Sequence, residues 1–416
     1  MFNYCMNKIK LYNFIIILSV VLCFFNEILN GIIQKNYLDK VSFFMLLVTG
    51  MFNLSIKKRL KIKYPFYFLA FLFLSFIYFV FSYNTLLSFV YEYAKIFNFL
   101  LFIPILRDYN NKDIICLTNK VLRVISIFLF INLIIIVLQF LFGNSIIRVL
   151  GYSDLRINGS EYNGRLTGFI HLGTLGPISL LFMILNRLFN FKNVNFLKYS
   201  FLALLNIFFS TSKISYGILL IFILIEYKEL FLKYFFKIIL GTSMLLLLLY
   251  IYVEKAILSK IKQYSIVLEN LGNSKYINLN FVEKRAIFID KALTIFYDHP
   301  FGLGFGTYGD SSAKLNPQHY QISKKIWLEG SVFMSDSAIA HYIAEQGLFY
   351  ILYLMFFFSI YKITKAEWKK YVLMLLVFYF LNSMVTMGLS SGNWPILFSL
   401  IYSLFYYSKL YEKKRV

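Results

Sequence analysis

Stretches of apolar sequence close to the length of a bilayer crossing recur from one end of this chain to the other. They fall at about 11–25, 41–56, 65–82, 86–106, 121–142, 166–186, 197–211, 214–227, 238–253, 337–360, 371–388 and 394–408. A helix that crosses a membrane needs roughly 20 predominantly apolar residues, and no soluble core uses so many such runs. Only 15% of the residues are charged and 59% are hydrophobic, against about 25% charged in an ordinary soluble domain. The pattern predicts an all-α integral membrane protein, one polytopic domain over 1–416 with about twelve transmembrane helices. The stretch 197–227 reads either as a hairpin broken at Ser210–Lys213 or as one long helix.

The formal charge of +22 would suggest nucleic acid in a soluble protein. Here the cations sit in short clusters between apolar segments, which is the signature of positive-inside topology, and no nucleic-acid recognition motif is present. Of the 42 Lys and Arg, ten lie in 254–336, Lys95 lies inside a span, and six lie in the other loops on the same side: Lys35, Lys40, Arg148, Arg156, Arg165 and Lys213. The remaining 25 flank the opposite side and include Lys57-Lys58-Arg59-Leu60-Lys61-Ile62-Lys63 and Lys413-Lys414-Arg415. Loops longer than about 60 residues largely escape the charge rule, so 254–336 does not offset this bias. Both termini are therefore expected in the cytoplasm, with 143–165 and the large loop 254–336 outside.

The first apolar segment, Leu11–Phe25, follows Lys8 and Lys10, yet no small-x-small cleavage site precedes Asn26–Glu27. It reads as a retained helix rather than a signal peptide. Three cysteines make no disulfide framework: Cys23 falls in the first apolar segment, and Cys5 and Cys116 on the cytoplasmic side. Lys95 follows Glu92 by three residues inside a span, a spacing that pairs them on one helix face.

Four external segments carry chemistry. In Gly164-Arg165-Leu166-Thr167-Gly168-Phe169, a guanidinium stands where a polar loop meets an apolar helix. It can hold phosphate oxygens bidentately at headgroup level or simply anchor the interface. Ser210-Thr211-Ser212-Lys213 places a cation against the topological trend. In the third, Glu283-Lys284-Arg285 leads into apolar positions 288, 289, 292, 293 and 296 of one helical face, which Arg285 extends toward the protein. Asp298-His299-Pro300 ends that helix and Phe301-Gly302-Leu303-Gly304-Phe305-Gly306-Thr307-Tyr308-Gly309 makes a tight turn. The formal Gly304-x-Gly306-x-x-Gly309 match is no dinucleotide site, because a helix rather than a strand precedes it. In the fourth, Ser335 or Asp336 serves as N-cap, and Ser337, His341 and Glu345 make a polar stripe entering the membrane.

Taken in order, these segments resemble the O-antigen ligase and polymerase superfamily, over roughly 145–395. The matching features are Arg165–Gly168–Phe169 before a helix, the Ser-Thr-Ser-Lys break, and Arg285 leading to His299-Pro300-x-Gly-x-Gly. The last is a polar residue at 336 followed at nine and eleven residues by Glu345 and Gly347. The family often has Ser-Arg where this chain has Ser212-Lys213. Ligases usually carry histidine where this chain has Asp336, which is closer to the polymerases.

The resemblance implies a GT-C-like glycosyltransferase of the bacterial inner membrane, acting without metal or other cofactor. Donor and acceptor would be undecaprenyl-pyrophosphate-linked glycans, and a chain-length regulator protein would be a partner. Arg165, Arg285 and Lys213 would bind pyrophosphate. Asp336 or His341 would take the acceptor proton, and Gly168, His299, Gly302, Gly304 and Gly306 would position the loops. An O-antigen ligase, passing the glycan to lipid A core or protein, is the alternative enzyme. A flippase for lipid-linked oligosaccharide is the alternative outside enzymes, although transporters usually build midplane sites from broken helices or paired charges.

Overall fold

The computed structural model describes residues 2–33, 38–56, 66–81, 85–107, 109–143, 145–152, 168–170, 172–190, 195–210, 213–228, 233, 281–308, 337–363, 366–385 and 394–412. Every regular element among the described residues is a helix: α1 Phe2–Ile33, α2 Leu38–Ile56, α3 Phe66–Phe81, α4 Leu86–Leu106, α5 Asn111–Phe142, α6 Ser145–Val149, α7 Leu172–Asn190, α8 Asn195–Ser210, α9 Lys213–Glu226, α10 Phe281–Asp298, α11 Ala338–Gln346, α12 Phe349–Ile363, α13 Ala366–Val385 and α14 Trp394–Glu412. Three carry stretches long and apolar enough to cross a membrane, Lys8–Leu29, Leu86–Leu106 and Lys112–Phe142, and several shorter apolar helices pack among them. The expected span at 238–253 lies outside the described residues.

The bundle buries polar side chains within its apolar core and turns many large apolar side chains outward. Asn132, Asn206, Gln139, Ser179, Glu345 and Ser399 are buried, while Phe14, Phe44, Phe73, Phe130 and Phe140 face outward. Water would punish that arrangement, whereas hydrocarbon rewards it, because polar groups in a membrane must find partners within the protein. The described residues are all-helical, and three long apolar helices with this outward apolar surface are compatible with a membrane protein. Where α2 crosses α4, a Cβ on Gly50 would lie 3.2 Å from the Pro104 ring, the close approach that small residues permit between membrane helices.

Polar contacts sort the helix ends. Lys8 near the start of α1 donates to Asn53 near the end of α2, which donates to the Pro104 carbonyl near the end of α4. Tyr407 near the end of α14 donates to Ile103. The first and last helices thus bring their outer termini to one end of the bundle. At that end Arg187 of α7 pairs with Glu226 of α9, whose other oxygen accepts from Lys370 and Tyr371 of α13. With these ends pinned together, α9 runs parallel to α7 and antiparallel to α13. In contrast, α8 returns along α7: Asn186 meets Phe196 and Ser200, and a Cβ on Gly176 would press on Ser210 and Ser215. The segment 197–227 is therefore the hairpin, not the single helix.

Three expected boundaries need correction. The segment expected at 166–186 begins its helix at Leu172, preceded by a non-helical turn at 168–170. The span expected at 337–360 is two helices, because Gly347 turns the chain at φ +49 and the Pro300 carbonyl occupies the space a side chain would need. Helix α11 then does not continue α12 but packs back on it through Tyr342 and Tyr350. The helix cap is Ser337, whose hydroxyl accepts from the Ala340 amide, and neither Ser335 nor Asp336.

Candidate functional site

The 168–170 turn leaves backbone amides inside an apolar bundle, where each must be satisfied. Asn132 of α5 accepts from the Phe169 and Ile170 amides at 2.9 and 3.1 Å, and Gln139 accepts from Gly168 at 3.3 Å. Gly168 sits at φ +61 with its Cα against Asn132, so only glycine fits. Asn132 also donates to Asn206 of α8 at 3.3 Å. The Gly168 turn, the start of α7 and the Ser210 end of α8 are thus held together. Lys213 opens α9 beside them, and its side chain lies outside the described set. Arg165 also lies outside the described residues.

The glycine loop is held as firmly. Helix α10 packs on α11 through Ala292, Ile295, Ala340 and Ala344, with Ile289 alongside. Leu293, expected on the protein-facing side, is instead half-exposed, so the buried face centres on Ala292 and Ile295. After α10, the amides of Leu303 and Gly304 donate to the Ala344 and Glu345 carbonyls at 2.9 and 2.8 Å, and the Leu348 amide to the Pro300 carbonyl at 2.8 Å. Tyr78 donates to the Gly302 carbonyl. A Cβ on Gly302 would overlap Glu345, and one on Gly306 would lie 2.5–2.8 Å from Ser88 of α4. Gly302, Gly304 and Gly306 all adopt positive φ, which glycine alone tolerates without strain. His299 is exposed and closes the turn, its carbonyl accepting from the Gly302 amide. Because the C-terminal ends of α10 and α11 meet in this loop, the two helices run parallel. The Arg285 turn of α10 then lies at the Ser337 end of α11, though the Arg285 side chain and Asp336 lie outside the described set.

Beneath the loop sits a buried charged chain. Glu345 Oε1 accepts from the Gly306 and Tyr308 amides at 2.9 and 3.0 Å. Its Oε2 lies 3.3 Å from His341 Nε2, which is 3.6 Å from Glu92 Oε2, and Glu92 Oε1 is 2.6 Å from Lys95. His341 is 1% exposed, Glu345 0% and Glu92 3%. The expected Glu92–Lys95 pair forms, but Glu92 serves His341 as well. Such groups depend on one another: removing one partner leaves an uncompensated buried charge, at about 3–5 kcal/mol.

The Gly168 turn, the start of α9 and the Ser337 cap share one end of the bundle, and the glycine loop lies at the opposite end of the nine-residue α11. Lys213 is thirteen residues from Glu226, and Ser383 thirteen from Lys370, about 20 Å of helix in each case. At that far end Ser337 donates to the Ser383 carbonyl at 3.3 Å, joining α11 to the end where α7 and α9 begin. No protein-family model matches this chain, and no curated protein matches it. Among the described residues, no group of three His, Cys, Asp or Glu side chains is placed to hold a metal ion.

The anchoring residues Asn132, Gln139 and Glu92 escape a motif reading. Their one sequence signal is a polar residue within an otherwise apolar span, at positions far from the motifs they support.

Proposed function

We propose that this protein polymerises undecaprenyl-pyrophosphate-linked oligosaccharide units into surface polysaccharide, by glycosyl transfer at the outer face of the bacterial inner membrane. The supporting observation is that the Gly168 turn, the start of α9 and the Ser337 cap share one end of the bundle, while the glycine loop is pinned to the other end of the short helix α11. A single site requires that its segments reach one end of the bundle. In this reading the chain crosses the membrane about twelve times in a GT-C-like arrangement, with both termini cytoplasmic and the motif end outside.

The acceptor hydroxyl oxygen attacks the anomeric carbon of the donor glycan, and the bond from that carbon to pyrophosphate breaks. Undecaprenyl pyrophosphate leaves with the bonding pair. Arg165, Arg285 and Lys213 stabilise the charge that develops on it, a task that preorganised cations perform well in a site shielded from water. Asp336 takes the hydroxyl proton. His341, enclosed between Glu92 and Glu345, is the alternative base. Purified protein supplied with lipid-linked repeat units is expected to lengthen them in the presence of EDTA. Extension that stops with EDTA and returns with added divalent metal would overturn the metal-independent mechanism.

One observation favours a second reading. Helix α11 breaks from α12 at Gly347 beside the buried Glu92, His341 and Glu345, and transporters often combine a broken helix with intramembrane charge. A lipid-linked oligosaccharide flippase would use that feature, and it would export repeat units without joining them.

A further inference from the structure

Glu92 belongs to none of the motif segments. It stands on α4, and an i,i+3 partner for Lys95 is all its position suggests. A carboxylate buried in a membrane bundle is costly, and an apolar pair would be cheaper if neutralising Lys95 were its only task. Its two oxygens are divided: Oε1 serves Lys95 at 2.6 Å, while Oε2 faces His341 at 3.6 Å. His341 passes the contact to Glu345 at 3.3 Å, and Glu345 holds the Gly306 and Tyr308 amides. Helix α4 also touches the loop directly, one turn earlier, where Gly306 packs on the Ser88 backbone. The loop thus meets α4 at two places, directly at Ser88 and through the Glu92–His341–Glu345 series.

We propose that Glu92 is a positioning residue for glycosyl transfer, acting through His341 and Glu345 to hold the glycine loop in register with α10 and α11. The inference deepens the polymerase reading and rests on it for its kinetic consequence. The loop follows α10, which carries Arg285, and its anchor α11 follows Asp336 directly in the chain. A displaced loop would spoil the alignment of pyrophosphate and acceptor while leaving the outer binding surfaces present. Misplacement of about 1 Å can cost roughly 100-fold in rate.

The test separates this role from ion pairing. Glu92→Gln/Lys95→Met removes both charges of the pair and so leaves no orphan between them. Glu92→Asp keeps the charge but shortens its reach toward His341, and serves if the double variant does not accumulate. Each is assayed as the full-length protein for kcat and KM in extension of lipid-linked repeat units. In parallel, Thr307→Cys is introduced and its labelling by a water-soluble maleimide is followed. Thr307 is buried in the loop, with its hydroxyl on the Gly304 carbonyl. The expected result is kcat down roughly tenfold or more, KM within about twofold, and faster labelling at 307 in both variants. A double variant with unchanged kcat and labelling would show that Glu92 only neutralises Lys95, and a fall in kcat with unchanged labelling would show that it does not hold the loop. Either overturns the proposal. If the parent protein extends nothing, the labelling rates still decide whether Glu92 holds the loop, and the polymerase reading fails separately.

Discussion

Arg165→Ala and Arg285→Ala are each expected to abolish visible chain extension while leaving the protein at normal levels in the membrane. Both arginines belong to segments that reach the motif end of the bundle: Arg165 precedes the turn clasped by Asn132, and Arg285 lies on the helix that packs along α11. A pyrophosphate leaving group gathers negative charge as its bond breaks, and loss of one well-placed donor typically costs about 100- to 1,000-fold in kcat. Lysine at either position should restore only part of the activity. It keeps the charge but loses the planar fork that holds two phosphate oxygens at once. Glycan size on a gel, beside an immunoblot of the membrane fraction, reads both quantities. Normal polymer from both alanine variants would remove pyrophosphate binding from these residues.

Asp336→Asn is expected to fold and to lose polymer. The structure sharpens this experiment, because Ser337 caps α11 through its own hydroxyl. The amide variant therefore forfeits no cap, and a defect cannot be assigned to the helix start. A lost general base typically costs about 100- to 10,000-fold, enough to empty the ladder. Near-normal polymer would take the base role from Asp336. His341→Ala should be made beside it, with a different expectation: it leaves Glu92 and Glu345 facing one another without the imidazole. Buried like charges of that kind destabilise the fold, so a lower protein level should accompany any loss of activity. An inactive His341→Ala at full abundance, with an active Asp336→Asn, would move the base one turn along α11.

How far the sequence is legible differs by scale. Helix positions follow from apolar runs, since a membrane leaves a backbone few other ways to satisfy itself. The polar stripe of Ser337, His341 and Glu345 follows from their spacing of four, and all three are buried. The break at Gly347 is less visible. Glycine in a membrane helix is ordinary, and only the Pro300 carbonyl pressed against it dictates the turn. The cap is Ser337 rather than the expected Ser335 or Asp336: all three are good N-cap types, and only backbone direction distinguishes them. Contacts between distant segments are not legible at all. The pairing of Glu92 with His341, and that of Ser75 with Gln346 at 2.8 Å, join residues hundreds of positions apart. A single sequence carries no signal for such pairs, and a local partner such as Lys95 conceals them.

The polymerase reading and its two rivals assign this protein to different steps, and those steps leave different products on the cell surface. Deleting the gene and sizing the surface glycan distinguishes them most directly. If the protein joins lipid-linked repeat units, the ladder of long chains should collapse to a single repeat unit, and the intact gene should restore the ladder where Arg285→Ala does not. An unchanged ladder would contradict the account, and so would loss of all surface glycan, the result expected of a flippase or a ligase.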